Sequence, residues 1–399
     1  MNQITRSGAF RNILPNLRAF FGDSAALAVG LTFAADSLMF GGWVTQIPFV
    51  KTRLGLDDAE LGLALFGMPV GLLIMNPFAA WFLQRFGLIR TTVGSAVLMA
   101  ISFVLPLWME GRLSLFLALA FTGAAVALLN IGMNTCATNI EEATGKKIMS
   151  SCHGMWSLGG MVGSAWAALM IRLGYFPPYF LTIQAILLVV VVIVWLGPAL
   201  ARVPEVRHEE QVGSRFAFPK GDLLLMILIG ACASLCEGVA FDWSAVYLRD
   251  VLGAPEQVAA LGFSFFSMLM MAMRFSGDAL IPYFGERALL YFTVLFSVGS
   301  IGWIVMAPVA WAGIVGFGML GMGVALAAPI LFNAAARVPG FASGAGLASY
   351  ATFSFIGFLA GPPAIGFLGE RFSLSYGFLV VAALTFATLL AVRRVGYLR

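Results

Sequence analysis

Twelve apolar runs of about 20 or more residues recur along the 399 positions of this chain, each long enough to cross the hydrocarbon core of a bilayer as a helix. They lie at roughly 25–50, 60–83, 91–109, 114–139, 148–171, 178–199, 222–248, 256–282, 288–307, 311–335, 344–368 and 373–392. Inside lipid every backbone N–H and C=O must be satisfied within the segment, so runs of this length are expected to be helices. The alternating pattern of a membrane barrel strand is absent. Composition closes off the soluble alternative: with 11% charged and 60% hydrophobic residues and a mean hydropathy of +0.94, a soluble surface of this size could not be covered. The expected fold class is an all-α polytopic membrane protein.

Loop charge predicts the orientation. With the N-terminus inside, sixteen of the 23 Lys and Arg residues fall in inner segments, six fall in outer loops, and Arg274 lies within a span. The positive-inside rule then places both termini in the cytoplasm of a bacterial cell, with the chain in the inner membrane. No cleavage site follows Arg6, Arg11 and Arg18, so the first apolar run reads as a retained helix. The long polar connection at 200–221 divides the chain into six-helix portions, 1–199 and 222–399.

Those portions also match each other. At a constant offset of 198, Leu54-Gly55 corresponds to Leu252-Gly253, and Gly87 to Gly285. Val126-Ala127-Leu128 corresponds to Val324-Ala325-Leu326, while Gly159 and Gly163 correspond to Gly357 and Gly361. Two parallel repeats with a site at their interface near mid-membrane are one of the known transporter designs. The expectation is two pseudo-symmetric six-helix bundles.

Several motifs add a family resemblance. AAWFLQRFGLIR (79–90) keeps Arg85, Gly87 and Arg90 of the Gly-x-x-x-Asp-Arg-x-Gly-Arg-Arg signature of the major facilitator superfamily (MFS), with Ala80 and Gln84 in place of its first Gly and its acid. The counterpart MRFSGDALIPYFGER (273–287) keeps Arg274, Gly277, Asp278, Gly285 and Arg287. With CHGMWSLGGMVGS (152–164), EGVAFDWSAVYLRDVLG (237–253) and FIGFLAGPPAIGFLGE (355–370), the chain resembles the MosC/YbjJ-like branch of that superfamily. The resemblance covers nearly the whole chain. It implies the MFS fold and suggests an amino-cyclitol-like solute, although one architecture serves many substrates.

A charge inside hydrocarbon is expensive, so each intramembrane ionisable residue is a functional candidate. Glu237 lies about 15 residues into helix seven, roughly 22 Å from its start, with no cation one turn away on its own helix. A carboxyl held out of water there suits proton loading and release; the alternative is a protonated structural tie. Asp36, about 11 residues into helix one, maps to position 234 at the 198 offset, three residues from Glu237, so the two acids are expected to face the cavity from opposite halves at similar depth. His153 heads helix five, with Trp156 and Ser157 at i+3 and i+4, stacking imidazole, indole and hydroxyl on one face. Glu237, Asp36 and His153 are the proton-coupling candidates, with a packed, hydrogen-bonded role as the competing reading for each. Asn130, Asn134, Trp156, Ser157, Thr45, Gln46, Asn333 and Tyr350 are substrate-binding candidates, against ordinary packing. Arg85, Arg90, Arg274, Asp278 and Asp242 read as gating or structural residues, Arg274 and Asp278 neutralising each other at i, i+4, with Trp243 as an interfacial anchor.

Cys232 and Cys236 share a helix face without a further Cys or His motif, so no metal is expected. No phosphate-binding loop appears, and no cofactor or nucleic-acid partner is expected. The lone His within a span lacks a nucleophile-and-acid arrangement, which argues against an enzyme. The reading is a monomeric, alternating-access secondary transporter that moves a small polar, sugar- or cyclitol-like solute with protons. The alternative is proton-coupled efflux of amphiphilic compounds.

Overall fold

A computed structural model describes residues 18, 20–204, 206, 219–338 and 345–398. Regular structure among the described residues is helical throughout. Twelve helices are long and apolar enough to cross a membrane: α1 (Ser24–Leu54), α2 (Asp58–Phe86), α3 (Leu88–Trp108), α4 (Arg112–Thr144), α5 (Met149–Arg172) and α6 (Pro177–Leu200) in the first half. The second half holds α7 (Asp222–Asp250), α8 (Glu256–Gly277), α9 (Glu286–Met306), α10 (Ala310–Ala335), α11 (Ser349–Arg371) and α12 (Leu374–Arg394). The protein is thus an all-α polytopic membrane protein. Most of the expected connection at 200–221 lies outside the described residues.

Helix ends follow from local chemistry. Asp23 caps α1, accepting from the backbone N–H groups of Ala25 and Ala26. Asp57 and Glu60 form a capping box at the start of α2. α1 does not stop near position 50 as the apolar run suggests. It breaks at Thr45-Gln46 and resumes with Pro48 in the first turn, a position that costs Pro nothing because its missing N–H has no intrahelical partner there.

The repeat is visible in backbone geometry. Gly55 and Gly253 have φ of 64° and 65°, and Gly87 and Gly285 have 83° and 84°, left-handed values that only glycine adopts without strain. Helix packing repeats as well. A Cβ on Gly159 of α5 would run into the Ala34 carbonyl of α1, and one on Gly357 of α11 into the Ala231 carbonyl of α7. Gly123 of α4 lies equally close to the Met68 carbonyl of α2, and Gly321 of α10 to that of Phe266 in α8. These small residues let backbones approach where lipid supplies no hydrophobic drive between helices. One contact is reciprocal: Gly71 of α2 faces Ala120 of α4, whereas at the equivalent place α8 carries Leu269 and α10 supplies the space with Gly318.

The halves meet firmly at the end where the α1–α2 and α7–α8 turns lie, called here the sealed end. Lys51 lies 2.6 Å from Asp58 and 2.8 Å from Asp250. Arg249 donates to the Pro48 carbonyl at 2.6 Å and the Thr52 hydroxyl at 2.8 Å. The pairing obeys the repeat, since Lys51 and Thr52 are the counterparts of Arg249 and Asp250. Among the described residues, α2 and α11 touch chiefly near this end. Gly62 lies against the Pro362 carbonyl, Gly366 against the Asp58 carbonyl, and the Asp58 N–H donates to Glu370 at 3.2 Å. α5 and α8 instead pack along their length, through a 2.7 Å Ser164–Ser264 hydrogen bond, Gly160 beside Ser267, Gly154 beside the Phe275 ring, and Ser150 donating to the Arg274 carbonyl at 3.3 Å. Among the described residues, no extended contact joins α4 to the second half or α10 to the first.

Candidate functional site

α1 and α5 pack tightly enough, through Gly159 and Gly163, to bring Asp36 and Trp156 together. Trp156 Nε1 donates to Asp36 Oδ2 at 2.9 Å. The other carboxylate oxygen, Oδ1, is buried with no hydrogen-bond partner among the described residues. Ser157, one residue on, accepts from Arg274 Nη1 of α8 at 3.1 Å. The Arg274 guanidinium stands 5.9 Å from the Trp156 ring centroid, within cation–π range. Its Nη2 approaches Glu237 Oε1 of α7 at 3.8 Å. Asp36, Trp156, Ser157, Arg274 and Glu237 therefore form one chain of polar contacts across both halves.

Arg274 is the main departure from the sequence reading. The i, i+4 spacing predicts a local pair with Asp278, whose side chain lies outside the described residues. The guanidinium turns instead into the centre, to α5 of the other half and to Glu237. The 3.8 Å approach is too long for a hydrogen bond. Glu237 makes no hydrogen bond among the described residues, and Arg274 uses one of its five donors on Ser157.

An aromatic layer lies one turn further toward the sealed end. Phe241 of α7 packs against Phe40 of α1 at 5.2 Å, Phe263 and Phe266 of α8 at 5.5 and 5.6 Å, and Phe358 of α11 at 5.8 Å. Trp156 joins it at 5.9 Å from Phe241, tilted by 42°. Trp156, Phe40 and Phe358 remain half-buried.

The remaining candidates divide by place. His153 sits half-buried with its ring edge-on to Phe33 at 5.3 Å. Asn134 donates to Asn130 on the same face of α4, at 2.8 Å to its carbonyl and 3.0 Å to its side chain. Asn130 and Asn333 are exposed, on α4 and α10. Thr45 and Gln46 are buried at the break in α1, Thr45 donating to the Gly42 carbonyl at 2.8 Å and Gln46 to Thr45 at 3.0 Å. They serve the helix break rather than an accessible lining. Tyr350 is also no lining residue in this conformation: it is 2% exposed, with its hydroxyl wedged against Gly230. Trp243, read as an interfacial anchor, is instead fully buried at 0% exposure, because α7 turns this face inward. Asp242 is half-buried without an ion pair or hydrogen bond among the described residues, and Arg85 and Arg90 are exposed away from the sealed end.

Sequence reasoning misses Lys51, Asp58, Arg249, Asp250 and Glu370, which fall in outer loops or at helix ends. A signal is present all the same: Lys51-Thr52 and Arg249-Asp250 coincide at the 198 offset, which puts complementary groups beside the pseudo-two-fold axis.

Comparison with known proteins agrees with this architecture. The Major Facilitator Superfamily pattern matches residues 26–348. An uncharacterized MFS-type transporter of Yersinia pestis is 29% identical over 94% of this chain and 96% of its own. The membrane protein MosC of Rhizobium meliloti is 30% identical over 89% of this chain and 86% of its own. Among solved structures, a D-xylose–proton symporter superposes with a TM-score of 0.72 at 13% identity, covering 94% of this chain and 98% of the other. The nucleoside transporter NupG superposes with a TM-score of 0.68 at 12% identity, over 92% and 98%. With the pattern covering most of the chain, and twelve helices arranged as in those structures, the protein belongs to the Major Facilitator Superfamily and is a multi-pass membrane transporter of small molecules, not an enzyme.

Proposed function

We propose that the protein is a secondary active transporter that moves a small polar, sugar- or cyclitol-like solute together with protons, by alternating access between halves 1–199 and 222–399. The observation that carries this reading is the contact chain Asp36–Trp156–Arg274–Glu237, which joins the halves near mid-membrane. A carboxyl with an unpartnered oxygen in a buried site is costly to hold charged, and a proton relieves that cost. Asp36 is such an acid, and with Glu237 of the other half, 3.8 Å from Arg274, it gives a means of tying proton occupancy to the arrangement of the halves.

With both termini in the cytoplasm of a bacterial cell, as loop charge favours, the sealed end faces outward and the conformation is inward-facing. Proteins sharing the fold include a D-xylose–proton symporter and a nucleoside transporter. Their solutes are rich in hydroxyls; the likeness is of fold, and the residues above carry the reading.

The test is transport by purified protein in proteoliposomes, after thermal-shift screening of sugars, cyclitols, amino acids and hydrophobic cations. A polar solute is expected to accumulate under an imposed pH gradient, and Glu237→Gln to abolish accumulation while sparing downhill exchange. Full proton-driven accumulation by Glu237→Gln would remove it from coupling. Stabilisation and exchange with hydrophobic cations alone would overturn the polar-solute reading.

A further inference from the structure

The repeat gives each seam between the halves a template in the other. On one side α5 is unbroken from Met149 to Arg172 and α8 from Leu261 to Phe284. Their contacts step evenly along both helices: Ser164 with Ser264, Gly160 with Ser267, and Gly154 with Phe275. At the 198 offset these pairs transpose to Pro362 with Phe66, Phe358 with Pro69, and Thr352 with Pro77. The α2–α11 seam begins near that register, Gly62 lying against Pro362 and Gly366, and then stops. Toward the open end, opposite the sealed one, no extended contact among the described residues joins 345–354 to 67–86. Asn76, the counterpart of Arg274, is exposed there on α2.

The seam parts where its helices are broken. α2 is interrupted at Phe66, between Asp58–Leu65 and Gly67–Phe86. Pro69 has no N–H to return to the Leu65 carbonyl, and its ring crowds that group, which accounts for a break just past Gly62. α8 carries Ser267 at the equivalent place and keeps its helix. α11 is interrupted at Phe355, where α5 carries Ser157 and runs on unbroken. So the two unbroken helices pack along their length, and the two interrupted ones separate past the interruption. A break between a held segment and a free one is the form a hinge takes. The free segments also have matching faces. Positions seven apart keep one side of a helix, which groups Gly62, Pro69 and Asn76 on α2, and Gly366, Leu359 and Thr352 on α11. Continued from the existing contact of Gly62 with Gly366, that register sets Asn76 beside Thr352.

We propose that this chain closes its open end by a one-sided hinge. Segments 67–86 and 345–354 swing together about Phe66 and Phe355 and zip on the register of the α5–α8 seam, while that seam stays packed throughout. The inference rests on the alternating-access reading and adds to it which seam moves. Symmetric rocking of the halves would part Ser164 from Ser264 each time the sealed end opens. A one-sided hinge keeps their bond, and with it the bond from Arg274 to Ser157 on the same seam.

The experiment follows disulfide formation under mild oxidation in liposomes, in a cysteine-free background, with the bonds located by peptide mapping. One protein carries Asn76→Cys and Thr352→Cys; a second adds Ser164→Cys and Ser264→Cys, which tie the α5–α8 seam. A third, with Asn76→Cys and Ile356→Cys, is one turn out of register. Each is first checked for monodispersity and melting. A disulfide needs Cα atoms within about 7 Å, so the 76–352 bond reports closure, and it should form at least about fivefold faster than the shifted one. Tying 164 to 264 should change that rate less than about twofold. Pro69→Ser, which gives α2 the residue α8 has, should speed closure at least about threefold by restoring the bond to Leu65. A slowing of more than about tenfold when 164 and 264 are tied overturns the one-sided hinge and leaves alternating access standing. Equal rates for the matched and shifted pairs overturn the register, and no effect of Pro69→Ser overturns the hinge at Phe66. Absence of the 76–352 bond from every well-folded variant means that the open end does not close, which overturns the alternating-access reading itself.

Discussion

The two seams between the halves are related by the repeat, since α5 and α8 correspond to α11 and α2, yet they are built differently. The α5–α8 seam is continuous from Ser164–Ser264 down to Ser150 and the Arg274 carbonyl, and Arg274 and Ser157 belong to it. The α2–α11 seam is a short contact of Gly62, Pro362 and Gly366 near the sealed end, and Asn76 lies exposed further along α2. One seam carries the polar centre; the other carries a close backbone contact and little more. In this conformation the α5–α8 seam acts as the support of the site and the α2–α11 seam as its narrow closure.

Gly62→Leu is the most forceful way to break that comparison. The new side chain cannot coexist with the Pro362 carbonyl and Gly366, so the short seam should part, with about 1–3 kcal/mol of overpacking cost and at least a roughly tenfold loss of transport. Unchanged uptake would mean that this contact is not what closes the sealed end.

Lys51→Ala acts on the same end with less force, leaving Asp58 and Asp250 without their shared cation. With the pair partly screened, a cost of about 1 kcal/mol is expected, roughly a fivefold shift toward opening. Gln46, 1% exposed, makes the reporter: a cysteine there, in a cysteine-free background, should react faster with an impermeant maleimide when Lys51 is removed. Equal labelling with and without Lys51 would count against its ion pairs holding the sealed end closed.

The gentlest probe belongs to the long seam. A double-mutant cycle of Ser164→Ala and Ser264→Ala should give a coupling of about 0.6 kcal/mol, the usual scale for hydrogen bonds between membrane helices, with transport nearly preserved. A coupling near zero, or loss of transport comparable to Gly62→Leu, would erase the distinction between the seams.

Sequence and structure agree where the physics is local or periodic. Hydropathy delimits twelve helices because a bilayer demands length, and the glycines at 55, 87, 253 and 285 mark helix ends because their φ is positive. Depth along a helix also brings out Asp36 and Glu237 as enclosed acids. What sequence hides is tertiary. Arg274 meets Ser157 across 117 positions of sequence and Glu237 on a neighbouring helix, so its spacing to Asp278 is the wrong clue. Trp243 near a helix end reads as interfacial because its position is legible and the direction of its face is not.

The reciprocal contact between α2 and α4, and between α8 and α10, bears on how such a chain can be recombined. Grafting the α2 sequence alone into the place of α8 would set Gly71 against Gly318 and open a void. The reverse graft would drive Leu269 into Ala120. Each helix has come to fit its own partner, so the smallest interchangeable part of this molecule is a pair of helices. A chimera that respects those pairs should assemble where a single-helix exchange between the halves would not.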